Sequence, residues 1–340
     1  MSATRSNFLK HGGVAMIIIL WVITLLSVIA ISFVHTMRTD VNVVANSLAR
    51  VKAETLADAA LERAIFELAK PQNTPDRWNA DGSSREWLYR DITVTITMQD
   101  EVGRIDINTA REELLRGLLI SQGMVEEDAL KLVDAIADWR DADSQKRLRG
   151  AEASDYIAAG LNYPPANAPF QSIEELKLVV GMTPELFGRL QPHITVFSRQ
   201  PGFNEQIAQR AVIRALTNVN DEQIDEYISR RDLARASKLP IPNFAQNTSR
   251  SLSTNNIPTR IRSDALFPDG SRFVREVVVR RYTDPKRPYA YLSWKEGRDL
   301  LANINEDANA ISQAANATTG NNSGNDASTL GKLVAPNKTP

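Results

Sequence analysis

Five acidic residues crowd into eighteen positions near the middle of the chain: Asp138, Asp141, Asp143, Glu152 and Asp155. Counted from Asp141 as position one, Asp143 and Glu152 stand at positions three and twelve, where an EF-hand loop places carboxylates. Gln145 and Lys146 then stand where that loop needs a shorter ligand residue and a glycine, so this is not an EF-hand. Calcium binding still fits, because it needs several hard oxygens on a flexible loop.

The acidic stretch allows two interpretations. In the first, a calcium ion offsets the repulsion between the carboxylates of Asp141, Asp143, Glu152 and Asp155. In the second, basic side chains of the same stretch neutralise the acids as solvated pairs that contribute little to stability. Those basic residues are Arg140, Lys146, Arg147 and Arg149.

The rest of the chain argues against enzyme chemistry. Its 340 residues include no cysteine and only three histidines, which lie far apart in the sequence. Nucleophile elbows, phosphate-binding loops, dinucleotide fingerprints and HExxH sequences are absent. With 40 basic and 41 acidic residues, the net charge of −1 gives the whole chain no strong attraction for nucleic acid or anionic lipid. The sequence therefore predicts a non-catalytic protein.

A long helix must begin the chain. Residues 14–34 carry no charge and would reach about 31 Å as a helix, enough to span a hydrocarbon core. Arg5 and Lys10 precede this run and favour a cytoplasmic amino terminus. The next glycine or proline after Gly13 is Pro71, so the helix is predicted to continue to residue 70. Its continuation has an apolar stripe for contact with partner helices: Val41, Val44, Leu48 and Val51.

The short basic leader ending in glycine, followed at once by an apolar helix, resembles a type IV pilin-like precursor. The resemblance implies that a prepilin peptidase cuts between Gly13 and Val14 and that Val14 is then methylated. A cleavable secretory signal fits less well, because the apolar run is too long for one and continues as helix. An ordinary membrane anchor stays open on these residues alone.

One position departs from the pilin pattern. The family usually carries a glutamate five residues after the cut, and this chain has Ile18 there. In a pilin fibre that glutamate lies among apolar helices and pairs with the amino terminus of the neighbouring subunit. A subunit at the fibre tip has no such neighbour, and an unpaired charge in apolar surroundings is very unfavourable. Ile18 therefore indicates a tip position.

The remainder of the chain predicts an α+β fold: a pilin-like long helix packed on an antiparallel sheet, with a large all-helical domain inserted between strands. Strands are expected over 91–98, 103–107, 260–266, 271–282 and 289–294, with helical periodicity from about 110 to 235. The phrases GRIDINTA, DWRDADS, RGAE and SIEELKLVVGMTPE resemble the minor pseudopilin K family (GspK) of type II secretion systems. This resemblance runs from Gly12 to about Glu296.

The family resemblance carries a function. It implies an inner-membrane protein with a single span, a cytoplasmic amino terminus and a periplasmic bulk. Its partners would be two other minor pseudopilins, the I and J members, with the major pseudopilin below them. Together they would form the tip of the periplasmic pseudopilus that exports folded proteins. The resemblance also implies calcium in the insertion, although the choice of ligands above comes from the residues alone.

Two other functions remain open. A minor pilin of a type IV pilus would share the leader but would serve adhesion or motility. A membrane-anchored DNA-uptake receptor would use three turns that resemble helix-hairpin-helix units, at residues 122–124, 180–182 and 217–219. These turns lack a second glycine for close approach to phosphate. Residues 109–197 also carry nine basic against 14 acidic side chains, which repel a polyanion. No nucleic-acid partner is therefore predicted.

The sequence predicts six segments. They are a leader over 1–13, a membrane and assembly helix over 14–70, a first part of the sheet over 71–108, an inserted helical domain over 109–250, a second part of the sheet over 251–298 and a tail over 299–340. The tail is rich in Asn, Ala, Ser and Gly and has few large apolar residues, so it is expected to be disordered.

Overall fold

This computed structural model describes residues 12–71, 73–90, 92–216, 219–244, 256–267 and 272–296. The leader before residue 12 and the tail predicted over 299–340 lie outside the described residues. The described part is an α+β protein in which one long helix packs on an antiparallel sheet and a helical domain is inserted between two neighbouring strands. The predicted fold class is confirmed.

Helix α1 spans Gly12–Ala69, 58 residues without an internal break. Its described side chains up to Lys52 are nearly all exposed to solvent, and only its last third packs on the sheet. There Leu61, Ile65 and Leu68 are buried, together with the small residues Ala60 and Ala64 that let the helix approach the strands. Among the described helices, α1 is the one long and apolar enough to cross a membrane.

The sheet has five strands in the order β1-β2-β5-β6-β7, and all neighbours are antiparallel. The strands are β1 Asp81–Tyr89, β2 Ile92–Asp100, β5 Thr259–Leu266, β6 Arg272–Arg281 and β7 Tyr289–Glu296. Apolar side chains on one face of the central strands, including Ile96, Ile261 and Val277, form a common core with α1. The sequence predicted β5, β6 and β7 to within two residues at each end.

The inserted domain lies between β2 and β5 and has its own apolar core. Its helices are α2 Glu112–Ser121, α3 Glu126–Arg140, α4 Ala153–Ala158, α5 Pro184–Leu190, α6 Arg210–Ile213 and α7 Asp221–Ala236, with a 3₁₀ helix at Ile173–Leu178. The helical character predicted from about 110 to 235 is confirmed. Gly123 and Gly181 turn the chain after helical segments with φ of 89° at each, a conformation that favours glycine.

Both ends of the insertion meet at one place on the sheet. Thr259 is the register partner of Asp100, and its hydroxyl donates to the Asp100 carboxylate at 2.6 Å. The Glu101 amide donates to the Pro258 carbonyl at 2.9 Å. The chain therefore leaves β2 and returns to β5 without disturbing the pairing of these strands.

The strand predictions for the first part of the sheet were wrong in two places. Residues 103–107 do not form a strand of the sheet, because only Ile105–Asp106 (β3) is extended and it pairs in parallel with Ile194–Thr195 (β4) inside the insertion. The sequence also missed β1, because no strand was predicted before residue 91. β1 is an edge strand with mostly exposed side chains, so it lacks the apolar alternation that reveals a strand.

Candidate assembly surface and acidic loop

The four predicted assembly residues form an exposed stripe on α1. Val41, Val44, Leu48 and Val51 follow one another at spacings of three and four residues and are 53–67% exposed. Ile18 is likewise exposed on the apolar first part of the helix, at 57%. These surfaces have no covering contact within the described residues. An exposed apolar stripe of this length marks a contact surface for another apolar surface.

The stripe ends in an apolar groove of about 570 Å³ where α1 passes the β1–β2 turn. Val51 and Leu56 line its helix side, and Trp87, Tyr89 and Phe267 line the opposite side. Aromatic side chains next to a helix stripe can hold the apolar residues of a second helix. The sequence analysis missed this groove because it missed β1, on which Trp87 and Tyr89 stand.

A buried arginine fixes the direction of α1 on the sheet. Arg275 of β6 is 2% exposed and forms ion pairs with Glu54 at 3.0 Å and Asp58 at 2.7 Å, both on α1. A third pair, at 2.5 Å, joins it to Glu296 of β7. Its guanidinium also lies 4.7 Å from the ring centre of Trp294. These contacts set the angle at which the exposed part of the helix leaves the folded body.

The acidic loop connects α3 to α4, and one of its predicted ligands is already engaged. Asp155 accepts from Lys146 Nζ at 2.5 Å and from the Glu152 amide at 2.9 Å. The hydrogen bond from Lys146 lowers the pKa of Asp155 below its usual value. Asp155 and Glu152 also cap each other's backbone at the start of α4. Asp155 therefore has a structural role that Glu152 shares.

The other carboxylates of the loop repel one another. Burial raises the pKa of Asp138, and the charge of Asp141 raises it further. Burial followed by the charge of Asp143 raises the pKa of Asp141, and burial followed by the charges of Asp138, Asp141 and Asp143 raises the pKa of Glu152. Asp141 Oδ1 and Glu152 Oε1 are buried without a hydrogen-bond donor. The carboxylates of this loop therefore have too few positive charges and donors near them to be neutralised.

Arg147 supplies part of that charge. Its Nε lies 3.5 Å from Asp138 Oδ1 and 3.9 Å from Asp141 Oδ2, and its Nη1 pairs with Glu112 at 2.6 Å. Within the described part of the chain, no three carboxylate or imidazole groups surround a common metal position. Arg147 therefore bridges Glu112, Asp138 and Asp141. One oxygen of Asp141 and one of Glu152 still lack a donor.

Gly150 explains why glycine follows the basic part of this loop. A Cβ atom at Gly150 would lie 1.9 Å from Asp138 Oδ2, so any side chain there would displace the Asp138 carboxylate. Asp138 itself is fully buried and accepts from the Arg147 amide at 3.3 Å. The predicted ligand set omitted Asp138, although its position three residues before Asp141, near the end of α3, was a usable signal.

Residues of the GRIDINTA segment form hydrogen bonds with distant parts of the insertion. Asp106 is buried and accepts from the Arg199 amide at 2.7 Å. The Asn108 side chain forms two hydrogen bonds with the backbone of Phe170: it donates to the carbonyl at 2.9 Å and accepts from the amide at 2.8 Å. Arg140, from the DWRDADS phrase, donates to the carbonyls of Ile107 and Ala110. Two of the segments that carry the family resemblance, GRIDINTA and DWRDADS, therefore hold parts of this domain together.

Comparison with known proteins supports the resemblance that these sequence segments carry. A family model described as "Type II secretion system (T2SS), protein K" matches residues 96–199, which contain all four phrases. A type II secretion system protein K from Klebsiella pneumoniae is 27% identical over 205 residues. Over these regions the chain is similar to proteins K of type II secretion systems. A second protein K, from Pseudomonas aeruginosa, is 25% identical over 247 residues.

The shared regions and the fold extend beyond the family model. The alignment covers 54% of this chain and 62% of the Klebsiella protein K, and 65% of this chain and 72% of the Pseudomonas protein K. A chain in the crystal structure of the GspK-GspI-GspJ complex from enterotoxigenic Escherichia coli matches with a TM-score of 0.50 and 17% identity. That match covers 73% of this chain and 94% of the other, and it shows that the two chains share a fold.

Proposed function

We propose that this protein is a protein K minor pseudopilin that forms the tip of a type II secretion pseudopilus with two other minor pseudopilins, the I and J members. The observation that carries this proposal is the exposed apolar stripe on α1, which continues into the groove at Trp87. A helix of that kind is built to pack beside other helices. The role is structural rather than enzymatic.

The amino-terminal end of the proposal follows the pilin pathway. A prepilin peptidase would cut after Gly13, and the mature chain would begin at an N-methylated Val14, which mass spectrometry of the purified protein reads directly. Residues 14–34 would anchor the precursor in the inner membrane, with the folded body in the periplasm. An unprocessed Met1 would indicate an ordinary membrane anchor instead.

The position at the tip rests on two features. Ile18 needs no cationic partner from a subunit above it, as the usual glutamate would. The inserted domain adds a second folded unit between β2 and β5, and its bulk would keep another subunit from stacking above. Growth would then continue from below, by addition of the major pseudopilin to the complex of minor pseudopilins.

The assembly stripe is tested by a charge at its centre. Replacement of Val44 or Leu48 by aspartate should weaken co-purification with the I and J members at least tenfold. Each change removes roughly 1.5–3 kcal/mol of apolar burial and places a carboxylate in the contact. The measurement is the dissociation constant of the detergent-solubilised complex.

Asn46→Asp is the matched control, because Asn46 is also exposed on α1 but lies on the opposite side from Val44 and Leu48. It adds the same charge and should leave assembly unchanged. Equal affinities for Val44→Asp, Leu48→Asp and Asn46→Asp would contradict the contact assignment.

We also propose that the acidic loop binds calcium. The donorless oxygens of Asp141 and Glu152 and the mutually raised pKa values of Asp138, Asp141 and Glu152 support a cation there. Asp138, Asp141, Asp143 and Glu152 would hold the ion, with Arg147 displaced, while Asp155 would keep its capping role. The ion would supply charge neutralisation and a rigid link between α3 and α4.

Calcium should therefore bind to the chelated full chain in detergent and raise its melting temperature. At a hundredfold excess over the dissociation constant the gain is about 2.7 kcal/mol. Asp141→Asn should abolish the calcium-dependent increase, whereas Glu127→Gln, on the exposed face of α3, should retain it. Calorimetry and thermal unfolding are the measurements, and no response at millimolar calcium would contradict the proposal.

A further inference from the structure

A cleft of about 490 Å³ lies between the sheet and the inserted domain. Strands β1, β2, β5, β6 and β7 form one side of it, and α7 with the segment before α6 forms the other. Its volume falls in the range of small-molecule sites. Six of its lining residues are basic: Arg104, Arg231, Arg235, Arg260, Arg262 and Lys295.

Most of these cations have a carboxylate partner. Arg260 is 7% exposed and lies between Glu101, at 2.7 Å, and Glu276. On α7, Arg231 pairs with Asp232 at 3.1 Å. On the same helix Arg235 lies 3.5 Å from the Asp232 carboxylate and 3.8 Å from that of Asp81, and Lys295 pairs with Glu174. The positive charges of these four residues are therefore largely neutralised by carboxylates of the protein.

Arg104 is the exception. Its guanidinium lines the cleft and makes no hydrogen bond or ion pair with the described part of the chain. Burial, and then the charge of Arg260, lowers the pKa of Arg104 to about 10, so the group stays charged at neutral pH. A guanidinium has five N–H donors, and a charged group in a sheltered site without acceptors is unfavourable.

The neighbouring histidine does not relieve this charge. His193 lies close enough to Arg104 for the two to repel, and burial followed by that repulsion lowers the pKa of His193 to about 4. Its ring is therefore neutral at physiological pH. His193 Nδ1 is buried without a partner, which adds an unmet polar atom beside the cleft.

We propose that this cleft binds a small multivalent oxyanion of the phosphate or carboxylate class, with Arg104 as its principal ligand. A guanidinium binds such groups through two parallel hydrogen bonds, which fits an unpartnered fork at the wall of a cleft. Arg231 and Arg235 face the same space from the inserted domain. A bound oxyanion would therefore link the insertion to the sheet and stabilise their relative position.

The test is thermal unfolding of the detergent-solubilised full chain with inorganic phosphate or citrate, at an ionic strength held constant with sodium chloride. At tenfold excess over the dissociation constant the melting temperature should rise by about 3 °C. Arg104→Gln should abolish this rise. Each variant is compared with its own melting temperature without oxyanion, because Arg104→Gln removes both the burial of a charge and its attraction to Glu101 and Glu276.

Arg116→Gln is the matched control, since Arg116 pairs with Glu126 on the exposed side of α2 and lies outside the cleft. It should keep the full response to oxyanion, and Arg104→Lys should keep part of it. A larger response to phosphate than to citrate would indicate a tetrahedral ligand, and the reverse a carboxylate ligand. The proposal is wrong if the wild type responds to neither anion, or if Arg104→Gln and Arg116→Gln respond equally.

Discussion

Gly117→Ala is expected to destabilise the inserted domain by about 2 kcal/mol or more. Gly117 lies inside α2, where alanine would ordinarily favour the helix by about 1 kcal/mol. The structure reverses that expectation, because a Cβ atom at Gly117 would lie 1.9 Å from the backbone oxygen of Ala215. A main-chain atom cannot rotate away as a side chain can, so α2 and the end of α6 would have to separate. Overpacking of this kind costs about 1–3 kcal/mol, and more where backbone must move.

The measurement for Gly117→Ala is denaturant unfolding followed by tryptophan fluorescence, since Trp139 is buried in the core of the inserted domain. Gly188→Ala is the matched control, because Gly188 lies within α5 and a Cβ there would meet nothing within 4 Å. It should leave stability unchanged or raise it by up to about 1 kcal/mol. A Gly117→Ala variant as stable as Gly188→Ala would show that α2 and α6 are not packed as described.

Local patterns predicted the elements with strong periodicity. The unbroken run between Gly13 and Pro71 predicted α1, and the apolar residues of β6 predicted that strand. The alternating residues of β5 predicted a strand as well. The pattern failed where an element's burial depends on a partner. Ile105 and Asp106 look like part of a sheet strand, but their pairing with Ile194 lies 89 positions away in the sequence, so no local window could reveal it.

The candidate sites also differ in how far the sequence alone could reveal them. The assembly stripe on α1 could be read from the sequence, because helical spacing alone puts Val44 and Leu48 on one face. The acidic loop was visible as composition, yet the sequence could not show that Lys146 engages Asp155 while Asp141 and Glu152 keep donorless oxygens. The oxyanion cleft was invisible, because its basic residues come from segments between positions 104 and 295 and meet only in the folded chain.

The buried arginine of that cleft gives the other large effect. Arg260→Met is expected to destabilise the protein by about 3–5 kcal/mol, the range seen when one partner of a buried ion pair is removed. Glu101 is 0% exposed and Glu276 is 9% exposed, and both depend on Arg260 for their nearest positive charge. Methionine would fill much of the space but would leave two carboxylates buried together.

The pH dependence of Arg260→Met distinguishes lost charge from lost packing. In the wild type, burial would raise the pKa of Glu276, but the charges of Arg260 and then Arg104 lower it to about 2. The contribution of the ionised Glu276 to the free energy of unfolding is therefore lost only as the pH falls from about 4.5 towards 2. In the variant, a buried carboxylate without its cation takes up a proton readily, which relieves the repulsion. The deficit in unfolding free energy should therefore shrink between pH 7 and pH 5.

Arg272→Met is the control for Arg260→Met, because it makes the same substitution in the same sheet. Arg272 pairs with Asp264 at the exposed end of β5 and β6, where an ion pair contributes at most about 1 kcal/mol. Denaturant unfolding of both variants in buffer free of phosphate and citrate gives the comparison. A deficit for Arg260→Met that stays constant from pH 7 to pH 5, or that matches the deficit of Arg272→Met, would mean that Glu101 and Glu276 do not need this arginine. The junction between sheet and insertion would then be held by apolar contacts instead of by charge.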